Sequence, residues 1–82
     1  MRILWDEPKR LSNLDKHGMD FADLTKDFFA TSTVYPATGK RLIAIGNISE
    51  KAVTVVFAPL GSEAISIISM RSASPKERRQ ME

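Results

Sequence analysis

The sequence predicts an α+β domain: N-terminal helices packed on an antiparallel sheet of about four strands, followed by a short C-terminal helix. Three observations carry this expectation. Apolar spacing is helical up to Phe29, with Phe21, Leu24, Phe28 and Phe29 supplying one side. It then gives way to β-branched runs at residues 41–48, 52–58 and 63–71. The links between those runs, Ser49-Glu50-Lys51 and Pro59-Leu60-Gly61-Ser62, are short, which suits antiparallel hairpins rather than crossovers. Last, Ser74, Pro75 and Glu77 spell a capping box with proline at the first helical position, so a helix begins there.

Each element follows in order. Residues 2–5 can form a short first strand. Asp6 reads as an N-cap and Pro8 falls in a first turn that tolerates proline, so a helix Glu7–His17 follows, closed by Gly18. Leu11 and Leu14, three apart, are its expected inner stripe, while Lys9, Arg10, Asn13 and Lys16 leave most of its surface polar. Asp20 is expected to cap a second helix over residues 21–29. Residues 31–35 read as a short strand stopped by Pro36 and the Thr38-Gly39 turn. In the last strand, Ile65 and Ile67 are expected on one face and Ile68 and Met70 on the other. One face can then meet the N-terminal helices, and the other the C-terminal helix or a partner. That last helix has little to bury beyond Met81 and the stems of its long cations.

Composition narrows the function classes. At 82 residues the expectation is one domain, 1–82. The absence of cysteine excludes a disulfide framework and a thiolate metal site, and favours a reducing compartment. The apolar runs are too short to cross a bilayer, and Met1-Arg2-Ile3-Leu4-Trp5-Asp6 turns acidic too soon for a signal peptide. The expected location is cytoplasmic, with no membrane partner. The net charge is only +2, but the basic excess lies after Ala30. Lys40, Arg41, Lys51, Arg71, Lys76, Arg78 and Arg79 stand there against Glu50, Glu63, Glu77 and Glu82. Such a bias is compatible with nucleic acid and equally with an ordinary soluble surface.

Few residues can carry chemistry. His17, the single histidine, sits at a helix end, where it can complement the helix dipole or serve as a general acid or base. With no second histidine, no cysteine and no carboxylate pair at a motif spacing, no metal or other cofactor is expected. No serine stands in a nucleophile elbow, and Gly39-Lys40 lacks Walker spacing. The cations remain. Arg41 opens a strand and Arg71 closes one, and a fixed guanidinium can bind phosphate bidentately and stabilise a phosphoryl transition state. Alternatively, Arg71 pairs with a carboxylate such as Glu77 and the helix cations are merely solvated. Trp5 and Phe57 have ring faces that could stack on bases, but their strand positions assign them to the core.

The pattern of residues resembles the BrnT family of bacterial toxins. Trp5-Asp6, Pro8-Lys9, Asn13, Lys16-His17-Gly18 and Phe21 carry the resemblance in the first half. Arg41, Gly46, Val55-Val56-Phe57, Ile67-Ile68-Ser69, Arg71, Ala73 and Glu77-Arg78 carry it in the second. The resemblance implies a RelE-like fold and a ribonuclease that arrests growth. It also implies a BrnA-type antitoxin with a ribbon-helix-helix DNA-binding region, operator DNA being reached only through that antitoxin. Metal-independent cleavage through the ribose 2′-hydroxyl would need a base, an acid and cations. His17, Lys16, Arg41 and Arg71 are the catalytic candidates, with acid and base left unassigned. Lys9, Lys40, Lys76, Arg78 and Arg79 are the candidate RNA-binding cations. The chain departs from the family pattern at Ser66 (commonly arginine), Met70 (commonly small), and Phe57 and Met81 (commonly tyrosine). These departures motivate an alternative reading, a catalytically weakened toxin that acts as an antitoxin-binding co-repressor.

Overall fold

The computed structural model describes residues 1–81. Five strands and three α-helices follow one another as β1 (Arg2–Trp5), α1 (Glu7–His17), α2 (Lys26–Thr31), β2 (Thr33–Pro36), β3 (Leu42–Ile48), β4 (Lys51–Leu60), β5 (Ala64–Ser72) and α3 (Pro75–Gln80). A 3-10 turn, Phe21–Asp23, lies between α1 and α2. The strands form one sheet in the order β1-β5-β4-β3-β2. The expected antiparallel sheet of about four strands is therefore corrected to a mixed sheet of five. β2 to β5 form the expected meander, but β1 pairs with β5 in parallel, Arg2 opposite Ala64 and Trp5 opposite Ile67. The helices between β1 and β2 return the chain to the far side of the sheet, so β1 and β5 run in the same direction without a hairpin joining them.

Register separates two faces. Ile3, Trp5, Ile65, Ile67, Met70, Val53, Val55, Phe57, Leu42 and Ala44 share the face beneath the N-terminal helices. Against them pack Phe21, Leu24 and Phe28, all buried, with Met19 and Phe29 at the margin. Burying a phenylalanine such as Phe21 contributes about 1.5–3 kcal/mol. Phe29 meets Phe28 and Phe57 edge to face, with ring centroids 5.2 Å apart in both pairs. Gly46 explains why β3 can lie so close to α2. A Cβ there would stand 2.9 Å from Phe28 Cε1.

Met70 does not share a face with Ile68, contrary to expectation. The β4–β5 register shifts between Val56 and Phe57, which pair with Ser69 and Ile67 and leave Ile68 without an opposite residue. This bulge resets the alternation, so Met70 joins Ile65 and Ile67 in the core. The expected helix over residues 21–29 is also corrected. Asp20 caps only the 3-10 turn, accepting from the Ala22 N–H at 2.9 Å. Leu24 and Thr25 take extended backbone, and Thr25 caps α2 by accepting from the Phe28 N–H. Arg10 donates to both Asp20 oxygens, at 3.1 and 3.0 Å, and so ties α1 to that turn.

Helix α1 also faces inward differently from expectation. Leu11 and Leu14 are 54% and 38% exposed, and the residue α1 buries is Asn13. Its caps follow the sequence at one end only. Gly18 closes it at φ 67, whereas the Asp6 side chain makes no capping bond. The capping box of α3 forms as expected, with Ser74 accepting from the Glu77 N–H and Glu77 from the Ser74 N–H. α3 lies against the second face of the sheet, where Thr54 and Ile45, neighbours in the ladder, are fully buried. Beyond α3 this face carries Leu4, Ser66, Ala58, Val56, Ile43 and Tyr35, all partly exposed.

Candidate active site

The edge of β5 organises the candidate residues. β1 pairs with β5 only as far as Ile67, so residues 68–72 border no strand on that side. Asn13 covers the gap. Its carboxamide donates to the Met70 carbonyl at 2.9 Å and accepts from the Met70 N–H at 3.0 Å, as a neighbouring strand would. Nδ2 also donates to the Met19 carbonyl at 3.1 Å. Asn13 thereby fixes the rotation of α1 about its axis. Lys9, Ser12, Lys16 and His17, at helical spacing around it, line a cleft of about 220 Å³ with Ile68 and Ser69. His17 also lines a second cavity of about 360 Å³, shared with Asp23, Ser49, Lys51, Met70 and Ser72.

Arg71 stands on the second face of the sheet, two residues beyond Ser69 and opposite Thr54. Its guanidinium makes an end-on pair with Glu77, Nη1 to Oε1 at 2.7 Å and Nη2 to Oε2 at 2.9 Å. Nη1 donates additionally to the Ser72 carbonyl at 3.3 Å. Glu77 Oε1 accepts from the Thr54 hydroxyl at 3.0 Å and the Ser74 N–H at 2.9 Å. The hydrogen bonds from Arg71, and then those from the Ser74 amide and Thr54, hold the Glu77 carboxyl at about 2, against the opposing effect of burial. The same pairing pushes the Arg71 pKa up. The sequence left Arg71 either catalytic or paired with a carboxylate such as Glu77, and the pairing is formed. The Arg71 side chain remains 41% exposed, so the pair does not bury the cation.

Tyr35 joins this face from β2. The ladder Tyr35–Ile43–Val56–Ser69 runs one row from Thr54–Arg71. Burial, and next the charge of Glu77, raise the phenol's pKa, with Arg71 partly offsetting them. Sequence reasoning gave Tyr35 no role because its face depends on the β2 register. For Glu77 the sequence offers both the cap and the pairing with Arg71, whereas Asn13 is expected on the polar surface of α1. Asn13 carried one usable signal, a short amide flanked at helical spacing by the cations of α1.

The remaining candidates are dispersed. Arg41 is exposed and precedes β3 at the end opposite Ile48, which lines the His17 cavity. At roughly 3.3 Å per residue, the seven residues of β3 separate the two by on the order of 20 Å. Lys40 is exposed in the same turn, and Lys76, Arg78 and Arg79 are exposed on α3. Arg78 and Met81 line a depression with Asn47, Glu50, Lys51, Ala52, Ser72 and Ala73. Lys9, Lys16 and His17 thus border residues 68–69 of β5 from the helix side and Arg71 stands on the open face, while Arg41 and Lys40 lie at the other end of β3 from the His17 cavity. Among the described residues, no three His, Cys, Asp or Glu side chains are grouped to hold a metal ion. No helix among them is long and apolar enough to cross a membrane.

The family model described as "Ribonuclease toxin, BrnT, of type II toxin-antitoxin system" matches residues 5–77. Among solved structures, the crystal structure of the Brucella abortus ribonuclease toxin BrnT is similar at 55% sequence identity and a TM-score of 0.86. The match covers 90% of this chain and 97% of that one. Comparison with curated proteins gave no match. The family model spans the α1 cation row, the β5 edge and the Arg71–Glu77 pair, and the chain belongs to the BrnT family of ribonuclease toxins of type II toxin–antitoxin systems.

Proposed function

We propose that this toxin cleaves RNA across the exposed edge of β5, by metal-independent attack of the ribose 2′-hydroxyl on the adjacent phosphate. The observation that carries this reading is the convergence of two sets of groups on residues 68–71. Lys9, Lys16 and His17 lie on the helix side of that edge, and Arg71 lies on the open sheet face. A strand of RNA following the edge meets both. The 2′-oxygen bonds to phosphorus as a base takes its proton. The bond to the 5′-oxygen breaks as an acid protonates that oxygen, leaving a 2′,3′-cyclic phosphate and a 5′-hydroxyl. His17 and Lys16 are the proton-transfer candidates, and Arg71 supplies positive charge to the phosphorane-like transition state. Arg41, Lys40, Lys76, Arg78 and Arg79 are assigned to the RNA backbone away from the scissile bond.

The partner in this reading is a BrnA-type ribbon-helix-helix antitoxin, which neutralises the toxin and carries it to operator DNA. Helices on one sheet face and a short C-terminal helix on the other support describing the fold as RelE-like. One observation favours the alternative of a weakened toxin acting as co-repressor. Ser66 lies on the open face with Arg71, at a position where the family pattern has a cation. Met70 carries no such weight, because it is buried in the core. Purified toxin incubated with a single-stranded RNA oligonucleotide separates the two readings. Cleavage with cyclic-phosphate ends, lost in Arg71→Ala with the fold intact, is expected. An intact oligonucleotide together with stable antitoxin binding establishes the co-repressor instead.

A further inference from the structure

The Arg71–Glu77 pair raises a question of stoichiometry: how many donors remain once Glu77 is served? A guanidinium has five N–H groups. Glu77 takes one from Nη1 and one from Nη2 in the end-on pair, and the Ser72 carbonyl takes the second from Nη1. Among the described residues nothing accepts from Nε or from the second Nη2 hydrogen. Those two N–H groups are parallel and lie on one edge of the guanidinium, in the spacing that matches two oxygens of a phosphate. Glu77 therefore does not consume the cation. It fixes the plane of the guanidinium and leaves its bidentate side edge unoccupied.

We infer that Glu77 is a positioning residue for RNA cleavage, holding Arg71 so that its Nε–Nη2 edge faces the scissile phosphate on the open sheet face. The inference rests on the proposed reading of Arg71 as the transition-state cation. Glu77 suits the task because it is itself fixed by five hydrogen bonds. Oε1 accepts from Thr54, Ser74 and Arg71, Oε2 accepts from Arg71, and its own backbone N–H is held by Ser74. Thr54 is fully buried and the Ser74 cap belongs to α3, so the carboxylate stands at a junction between the sheet and the helix. A loose arginine would have to be ordered by the substrate in each turnover, whereas one already held in plane is preorganised. The Ser-Pro-x-Glu signal thus acquires a second use beyond starting a helix.

The test compares the purified full-length toxin with four variants, Arg71→Ala among them, on one RNA oligonucleotide, measuring kcat and KM separately together with the melting temperature. Glu77→Gln keeps an acceptor for Thr54 and Ser74 but loses the charged two-oxygen clamp. It is expected to lower kcat by roughly 10–100-fold, the scale of a misplaced catalytic group, with KM within about threefold. Thr54→Val removes one of the supports of Glu77 while leaving both of its bonds to Arg71, and is expected to melt lower with a smaller loss of kcat than Glu77→Gln. Arg71→Lys keeps a charge for Glu77 but has no side edge, and is expected to lose at least about tenfold in kcat. Glu77→Gln at wild-type kcat overturns the inference. So does a Thr54→Val loss as deep as that of Glu77→Gln, which would mean that only helix docking matters. Should Glu77→Gln fail to fold, Arg71→Lys decides, since wild-type kcat there means that the side edge is unused. If Arg71→Ala cleaves like wild type, the underlying reading of Arg71 fails instead.

Discussion

Asn13 and Met70 exchange two hydrogen bonds across 57 residues of sequence, the carboxamide of one standing in for a strand beside the backbone of the other. The pair completes the sheet where β1 stops and sets which face of α1 looks along the β5 edge. Asn13→Ala leaves the Met70 N–H and carbonyl, and one acceptor at Met19, without partners in a buried setting. Each unsatisfied group costs about 1–3 kcal/mol, so with three of them a loss of at least about 3 kcal/mol is expected. Urea unfolding at constant m-value measures it. Asn13→Asp is expected to be equally damaging, because a carboxylate cannot donate to the Met70 carbonyl. A loss under about 0.5 kcal/mol in both variants would show that water replaces the amide at no cost.

The pair also marks where sequence reasoning stops. Local signals located most elements well: Gly18 ending α1, the Ser74–Glu77 box, and the three long strands with their turns. They failed where a distant element decides. Leu11 and Leu14 have the spacing of an inner stripe, but α1 docks through one amide on a strand edge, and no local pattern marks that edge. The bulge at Ile68 is invisible in an apolar run, yet it moves Met70 from the open face into the core. The parallel β1 depends on where the chain returns after α2. For the site, residue types at Lys16, His17 and Arg71 were legible. Their placement along β5, and that of Arg41 at the other end of β3 from the His17 cavity, follow from strand register and not from spacing.

Acid sensitivity should trace to Glu77. Its carboxyl is held at about 2 in the folded chain against an ordinary value of 4.5. A group with a depressed folded value contributes stability that is complete above its unfolded value and lost as pH falls through the folded one. The window is therefore between pH 4.5 and 2. At about 1.4 kcal/mol per unit the ceiling is on the order of 3 kcal/mol. Solvent at the 41% exposed Arg71 reduces this to about 1–2 kcal/mol. Denaturant titrations at pH 7 and pH 3 are expected to show the wild type losing roughly 0.6–1.2 kcal/mol more than Glu77→Gln, because pH 3 lies only part of the way through that window. Equal losses would place the acid-sensitive carboxylate elsewhere, with Asp20, lowered by the Ala22 amide and Arg10, the first alternative.

The β3–β4 turn is strained at Ser49 and Glu50, which hold φ of 48° and 70°. A two-residue hairpin turn with both central residues at positive φ is the type that suits the strand twist, and it favours asparagine and glycine. Here the geometry is kept with residues that resist it, at a cost of roughly 1–2 kcal/mol each. Glu50→Gly is expected to stabilise the chain by about 1 kcal/mol, a rise of roughly 4–8 °C in Tm at this size. Glu50→Ala, which retains the Cβ, is the control and should gain nothing comparable. Equal gains in both variants would assign the effect to removal of the Glu50 charge.

The cation row of α1 should report itself through salt. Lys9 and Lys16 are exposed and line the Ile68–Ser69 cleft, and if RNA passes there each neutralises phosphate charge. Each such contact contributes about −0.7 to the slope of log K against log salt for a single strand. Lys9→Gln and Lys16→Gln are each expected to weaken binding of a non-cleavable 2′-deoxy oligonucleotide and to reduce the slope by about that amount. The double variant should lose about twice as much, because contacts to separate phosphates are additive. Lys26→Gln removes the same charge from the N-terminus of α2, outside the cleft, and should leave the slope unchanged. If all three variants lower the slope alike, the toxin attracts RNA by its overall charge, and the path along β5 is wrong.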